Sequence, residues 1–141
     1  MSRVINPDSA GKERTHLTRA VVLAVHLLAQ QTEPGPETRD LAAFIAMALQ
    51  GIAATIETSV AAWEKRGYWV KADRFRMEWL WAGQLGEKMR LATLSEDWDQ
   101  VASVTAQVAQ RLTKVKVPVH NRLGTPWVDA WKHLQAGDSR G

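Results

Sequence analysis

Apolar side chains recur every three or four residues along almost the whole chain, and this spacing limits the possible folds more than any other feature. Such spacing places the apolar residues on one face of an α-helix. No segment shows the alternation with a period of two that is typical of a half-buried β-strand. Glycine and proline gather near the ends and at one internal joint, residues 32–36. The pattern therefore predicts an all-α fold.

Four long helices and one short helix follow from the apolar stripes and the residues that interrupt them. Pro36 suits the first turn of the second helix, Gly67 either ends that helix or kinks it, and Ser95 is the expected N-cap of the fourth. Short joints favour an antiparallel four-helix bundle with a short C-terminal helical extension, and the residues from Gly137 onward are expected to fray. The 141 residues fit one domain. The predicted helices span about 11–31, 37–66, 68–94, 96–117 and 126–134.

The composition removes several classes of chemistry. The chain has no cysteine, which excludes disulfides, cysteine–zinc sites and thiol nucleophiles. It has no glycine-rich phosphate loop, no Gly-x-Ser-x-Gly motif and not the paired Glu-x-x-His motifs of a di-iron bundle. We therefore expect no enzymatic activity, no metal and no cofactor. The histidines are interpreted as ordinary surface or interface residues: His16, His26, His120 and His133.

Nothing in the sequence indicates export or membrane insertion. The first residues lack a cationic stretch followed by an apolar segment, which a secretory signal needs. No apolar run approaches the ~20 residues of a membrane span. The expected location is the cytoplasm, with no membrane partner.

Seven tryptophans are unusual for a chain of this size, and the third helix contains three of them. Its main stripe includes Trp79, and a second apolar strip lies on a separate flank. A helix in a monomeric bundle needs one stripe, so the second strip predicts contact with another chain and a homo-oligomer. The residues of this predicted interface are Val70, Met77, Trp81 and Leu85.

Positive charge is concentrated in the second half of the chain. Between residues 20 and 62 one basic residue stands against four acidic ones, whereas between 63 and 92 seven basic residues stand against four. Residues 100–128 contain four basic residues and no acidic one. Basic side chains beside an aromatic ring can hold phosphates while the ring stacks on a base, so Trp69 is a candidate stacking residue. The predicted nucleic-acid contacts are Lys65, Arg66, Trp69, Lys71, Arg74, Arg76, Lys114, Lys116 and Arg122.

These features resemble the accessory variability determinant proteins of diversity-generating retroelements, which are small basic four-helix bundles. The similarity covers about residues 15–117: the helix lengths, the proline-containing first joint, and Ala72–Asp73 followed by Arg76 and Trp79. The resemblance implies a homopentameric barrel that binds nucleic acid and assists a reverse transcriptase. A competing resemblance is to the small helical subunits of CRISPR effector complexes, which line a nucleic-acid groove in several copies.

Three functions are therefore predicted. The first is a non-catalytic nucleic-acid-binding accessory subunit of a ribonucleoprotein or reverse-transcriptase-type assembly, binding RNA or DNA through its phosphates. The second is a homo-oligomeric protein–protein scaffold that does not bind nucleic acid. The third is a small subunit of a CRISPR effector complex. Arginine and tryptophan are common at protein interfaces as well as at nucleic-acid sites, so composition alone does not separate these functions.

Overall fold

The computed structural model describes residues 7–140, with the side chains of residues 9–138. Within this range the chain forms five α-helices and no β-strand, which confirms the all-α prediction. The helices are α1 (Pro7–Ala29), α2 (Pro36–Lys65), α3 (Trp69–Leu94), α4 (Trp98–Arg111) and α5 (Ala130–Arg140).

The longest helix, α2, is the centre of the molecule and packs against α1, α3 and α5. Its apolar residues are mostly buried, among them Leu41, Ile45, Leu49 and Ile52, all less than 2% exposed. By length and composition α2 alone among the described helices could cross a membrane, but the core helix of a compact bundle has the same composition. The apolar side chains of α2 are mostly buried against the neighbouring helices.

Helices α1 and α2 run antiparallel, as their contacts show. Near the start of α1, Arg14 donates hydrogen bonds to Thr55 and Ser59, which lie near the end of α2. Beyond the other end of α1, Gln31 accepts a hydrogen bond from Thr38 in the first turn of α2. Because Pro36 is the first residue of α2, its missing N–H leaves no helix hydrogen bond unmade.

Helices α2 and α3 are also antiparallel and approach each other closely. Gly86 of α3 faces Leu49, so closely that a β-carbon on Gly86 would lie 3.0 Å from that of Leu49. Gly67 ends α2 and does not merely kink it. Its φ of +82° is left-handed, its N–H binds the carbonyl of Glu64, and the N–H of Tyr68 binds the carbonyl of Trp63. This is the Schellman arrangement that closes a helix.

Helix α4 is shorter than predicted and begins with a different cap. Asp97 is the N-cap, accepting a hydrogen bond from the N–H of Gln100, whereas Ser95 is the C-cap of α3. The helix ends at Arg111 and not near residue 117. Residues 115–118, Val-Lys-Val-Pro, alternate half-buried and exposed side chains, which suits extended chain. A proline also disfavours helical geometry in the residue before it.

The C-terminal segment is part of the core and not a peripheral extension. Trp127, Ala130 and Leu134 are buried, and the carboxylate of Asp40 accepts hydrogen bonds from the N–H groups of Asp129 and Trp131. Asp40 thus caps α5 from another helix. The helix begins at Ala130, later than predicted, and continues past Gly137 to Arg140.

Candidate nucleic-acid interface

The exposed side of α1 is basic. Lys12, His16 and Arg19 are spaced by four and three residues, which places them within about 60° of one another around the helix axis. All three are exposed, whereas Val21 and Ala24 on the opposite side are fully buried in the core. The apolar periodicity that buries one face of α1 therefore aligns these basic residues on the other.

A surface groove of about 450 Å³ lies between this face of α1 and the chain segment that follows α4. Residues 117–123 form its second wall and add His120 and Arg122. Asn121 shapes this wall, because its side-chain amide donates to the carbonyl of Pro118 and its side-chain oxygen accepts from the N–H of Leu123. We call this feature the basic groove; its ionisable lining residues are Lys12, His16, Arg19, His120 and Arg122.

No described residue that lines the basic groove is acidic. Two permanent cations on α1 and one on the opposite wall therefore line one small space, an arrangement that attracts anions. Val117 also lines an adjoining cavity, whose lining includes His26 and Lys116. Lys114 is exposed in the turn after α4 and lines neither cavity.

The other predicted basic residues lie elsewhere, around the turn between α2 and α3. Lys65, Arg66 and Arg74 are exposed there, and Trp69 is 62% exposed. The shallow cavity beside Trp69 is lined by Arg74 and Arg76 but also by the acidic residues Glu64 and Asp73. Of the candidate residues from the sequence, Arg122 lines the basic groove, Lys116 lines the adjoining cavity and Lys114 lines neither. The other candidates lie at this α2–α3 end, which has mixed charge.

Two cations of the α2–α3 end are already engaged within the protein. The guanidinium of Arg76 donates to Glu57 at 3.3 and 3.4 Å and lies 3.9 Å from Glu64. The hydrogen bond and charge of Glu57 raise the pKa of Arg76 above its ordinary value. The ammonium of Lys71 lies 4.5 Å from the ring centroid of Trp63, a cation–π contact. These contacts reduce what Arg76 and Lys71 can offer a phosphate.

The predicted interface strip on α3 is not one continuous surface. Val70 and Met77 are 68% and 65% exposed, as a contact surface requires, but Trp81 and Leu85 are 8% and 7% exposed and belong to the core. The prediction is therefore wrong for Trp81 and Leu85. Trp81 and Leu85 lie in the hydrophobic core cluster to which α4 contributes Val101, Val104 and Val108.

Sequence reasoning missed Lys12, Arg19 and two histidines of the basic groove. The spacing of Lys12, His16 and Arg19 was a signal that a search for exposed helix faces could have found. No such signal shows that His120 lies across the groove from these residues, because its position depends on the path of the chain after α4. Arg14, between them in sequence, is structural: it hydrogen-bonds to α2 and stacks 4.8 Å from the ring centroid of Phe75. Burial lowers the pKa of Arg14 below its ordinary value.

Comparisons with protein-family models, with curated proteins and with solved structures find no match to this chain. Among the described residues, no group of three or more histidine, aspartate or glutamate side chains is placed to hold a metal ion. The geometry and charge of the basic groove and of the α2–α3 end are therefore the observations that indicate a function.

Proposed function

We propose that this protein is a non-catalytic, nucleic-acid-binding accessory subunit of a larger assembly. The observation that supports this most strongly is the basic groove, which Lys12, Arg19 and Arg122 line from two elements and in which no described lining residue is acidic. Nucleic-acid phosphates are the abundant polyanions that such a groove would bind, and phosphate contacts hold a strand without reading its sequence. Selectivity would then come from a partner in the assembly.

The proposed fold behind this function is an antiparallel four-helix bundle, with the C-terminal segment packed onto it. The paired contacts of α1 with α2 and of α2 with α3 support it, as does the short connection of three residues, 95–97, between α3 and α4. In this arrangement the segment after α4 returns along α1, which is what forms the second wall of the basic groove.

A second candidate function, a protein–protein scaffold, is favoured by the α2–α3 end. Tyr68, Trp69, Val70 and Met77 are all more than half exposed and lie among charges of both signs. Aromatic residues, methionine and arginine are enriched in protein interfaces. The two functions are compatible, since an accessory subunit needs both a nucleic-acid site and a site for its partner protein.

The test compares two triple variants with matched charge. One removes the groove cations (Lys12→Ala, Arg19→Ala, Arg122→Ala) and the other removes those of the α2–α3 end (Lys65→Ala, Arg66→Ala, Arg74→Ala). Binding of a fluorescein-labelled 20-base-pair duplex is followed by anisotropy from 50 to 300 mM NaCl. We expect the logarithm of the affinity to fall linearly with that of salt, with a slope of about −0.9 for each phosphate neutralised.

The groove variant should bind more weakly, and its salt slope should decrease by the equivalent of up to about three phosphate contacts. The affinity and slope of the α2–α3 variant should stay close to those of the parent. Circular dichroism checks that both variants remain folded. Affinity that does not depend on salt, or a groove variant that binds as the parent does, would contradict the proposal. Light scattering of the parent protein and the α2–α3 variant tests the scaffold function in the same samples.

A further inference from the structure

We infer that His16 and His120 are phosphate-binding residues that take up protons when nucleic acid occupies the basic groove, so that binding tightens as the pH falls. This inference rests on the proposed function and adds to it a pair of residues and a dependence on pH. No sequence pattern associates these two histidines, which are 104 positions apart. The fold places them on facing walls of one groove.

The two histidines approach the groove from different elements. His16 extends from α1, one turn after Lys12 and three residues before Arg19, and His120 extends from the segment opposite, two residues before Arg122. Both side chains are exposed to solvent, so a strand can reach them without a change in the fold. A phosphate held by the permanent cations therefore lies next to both imidazoles.

Protonation changes what an imidazole offers to a phosphate. Neutral histidine has one N–H donor, whereas the imidazolium ion has two donors and a positive charge. An adjacent negative charge favours the protonated form. Binding and proton uptake are then coupled, because each makes the other more favourable. Histidine is the side chain whose ordinary titration falls between pH 5 and 8, so the coupling should appear in that range.

Apart from the two histidines, the described ionisable groups that line the groove are lysine and arginine side chains. From α1 the ionisable lining groups are Lys12, His16 and Arg19, and from the opposite wall they are His120 and Arg122. The adjoining cavity adds Lys116 and one further histidine, His26. The acidic neighbour on α1, Glu13, does not line the groove. A pH dependence between 5.5 and 8 would therefore report on the histidines.

The experiment measures the affinity for a labelled 20-nucleotide single-stranded RNA and a 20-base-pair DNA duplex from pH 5.5 to 8.0, at constant ionic strength. Two linked protons allow the affinity to change by at most 100-fold per pH unit, over the range in which the histidines are neutral in the free protein and protonated in the complex. We expect a gain of about tenfold or more between pH 7.5 and 5.5. Calorimetry in two buffers with different ionisation heats measures the proton uptake directly.

The variants are His16→Gln/His120→Gln and, as a matched control, His133→Gln, which alters an exposed histidine on α5 outside the groove. Glutamine keeps a donor but cannot become charged. The double variant should lose the pH dependence and most of the proton uptake, and the control should keep both. Circular dichroism at each pH confirms that all proteins remain folded.

The outcomes of this experiment distinguish the proposed function from the role of the two histidines. Salt-dependent binding that does not vary with pH, or a double variant that keeps the parent's pH dependence, overturns the role of the histidines and leaves the proposed function intact. Failure of the parent protein to bind either probe at any pH overturns both. Proton uptake that disappears in the double variant and persists in His133→Gln supports the inference.

Discussion

Two glycines one turn apart on α3, Gly83 and Gly86, differ in how closely α2 approaches them. A β-carbon on Gly86 would lie 3.0 Å from the β-carbon of Leu49 and 3.4 Å from the backbone oxygen of Ala46. A β-carbon on Gly83 would meet the β-carbon of Ala53 at 3.6 Å, an ordinary contact. Glycine is intrinsically unfavourable within a helix. The close approach of α2 and α3 therefore requires it at residue 86 and not at residue 83.

The change Gly86→Ala should destabilise the protein by up to about 2 kcal/mol, because overpacking costs about 1–3 kcal/mol and the helix gains about 1 kcal/mol in propensity. The change Gly83→Ala should stabilise it by up to about 1 kcal/mol, since there the gain in propensity meets no clash. Urea unfolding followed by circular dichroism measures both. Equal effects of the two substitutions would contradict the close approach of the helices at Gly86.

Single residues also mark the limit of what the sequence could predict. The exposed position of Trp69 and the buried stripes of α2 follow from angular spacing on one helix, and the structure agrees. The burial of Trp81 does not follow from that spacing, because Trp81 belongs to a core cluster that residues of several helices form together. The pairing of Arg76 with Glu57 likewise needs the register between two helices. Periodicity identifies a face but not the element that covers it.

At the scale of the elements, the three long helices could be predicted to within a few residues, because proline or glycine interrupts strong apolar stripes. The boundary between α3 and α4 was less accurate, since Ser95, Asp97 and their neighbours offer several polar side chains as caps. Both residues form hydrogen bonds, but in different helices. Ser95 donates to the carbonyls of Leu91 and Ala92, closing α3, and Asp97 accepts from α4.

This difference predicts unequal effects of two alanine substitutions. The change Asp97→Ala removes the side chain that caps α4 and should cost about 1 kcal/mol. The change Ser95→Ala removes only a hydroxyl that returns to its own helix, where alanine is the more favourable residue, so stability should change by less than about 0.5 kcal/mol. Thermal and urea unfolding of both variants provide the measurement. If Ser95→Ala were more destabilising than Asp97→Ala, Ser95 and not Asp97 would be the cap of α4.

At the scale of the whole molecule, the candidate site is a product of chain topology. One wall of the basic groove belongs to α1 and the other to residues more than 90 positions later. The sequence could identify the cationic stretch from Arg111 to Arg122, which has no acidic residue, but not that it lies against Lys12 and Arg19. The fold also separates the predicted basic residues onto different surfaces, and no local sequence pattern indicates this separation.

The anchoring of the C-terminal segment links stability to the groove. After the groove wall the chain reaches Trp127, which is 7% exposed in the core, and then α5, capped by Asp40. The wall is thus fixed on one side by Val115 and Val117 and on the other by Trp127. If the segment is an integral part of the fold, removing this anchor should affect both the unfolding free energy and the groove.

The change Trp127→Ala should lower the free energy of unfolding by about 3–5 kcal/mol, as for other buried aromatic residues. The change Trp69→Ala, made at an exposed tryptophan, should alter it by less than about 0.5 kcal/mol. At a temperature where circular dichroism shows Trp127→Ala still folded, its affinity for the DNA duplex should also fall, because the second wall of the groove is no longer held in place. A stable Trp127→Ala variant with the parent's affinity would mean that the C-terminal segment is dispensable, and the groove would then have to be formed by α1 and residues 112–123 without its help.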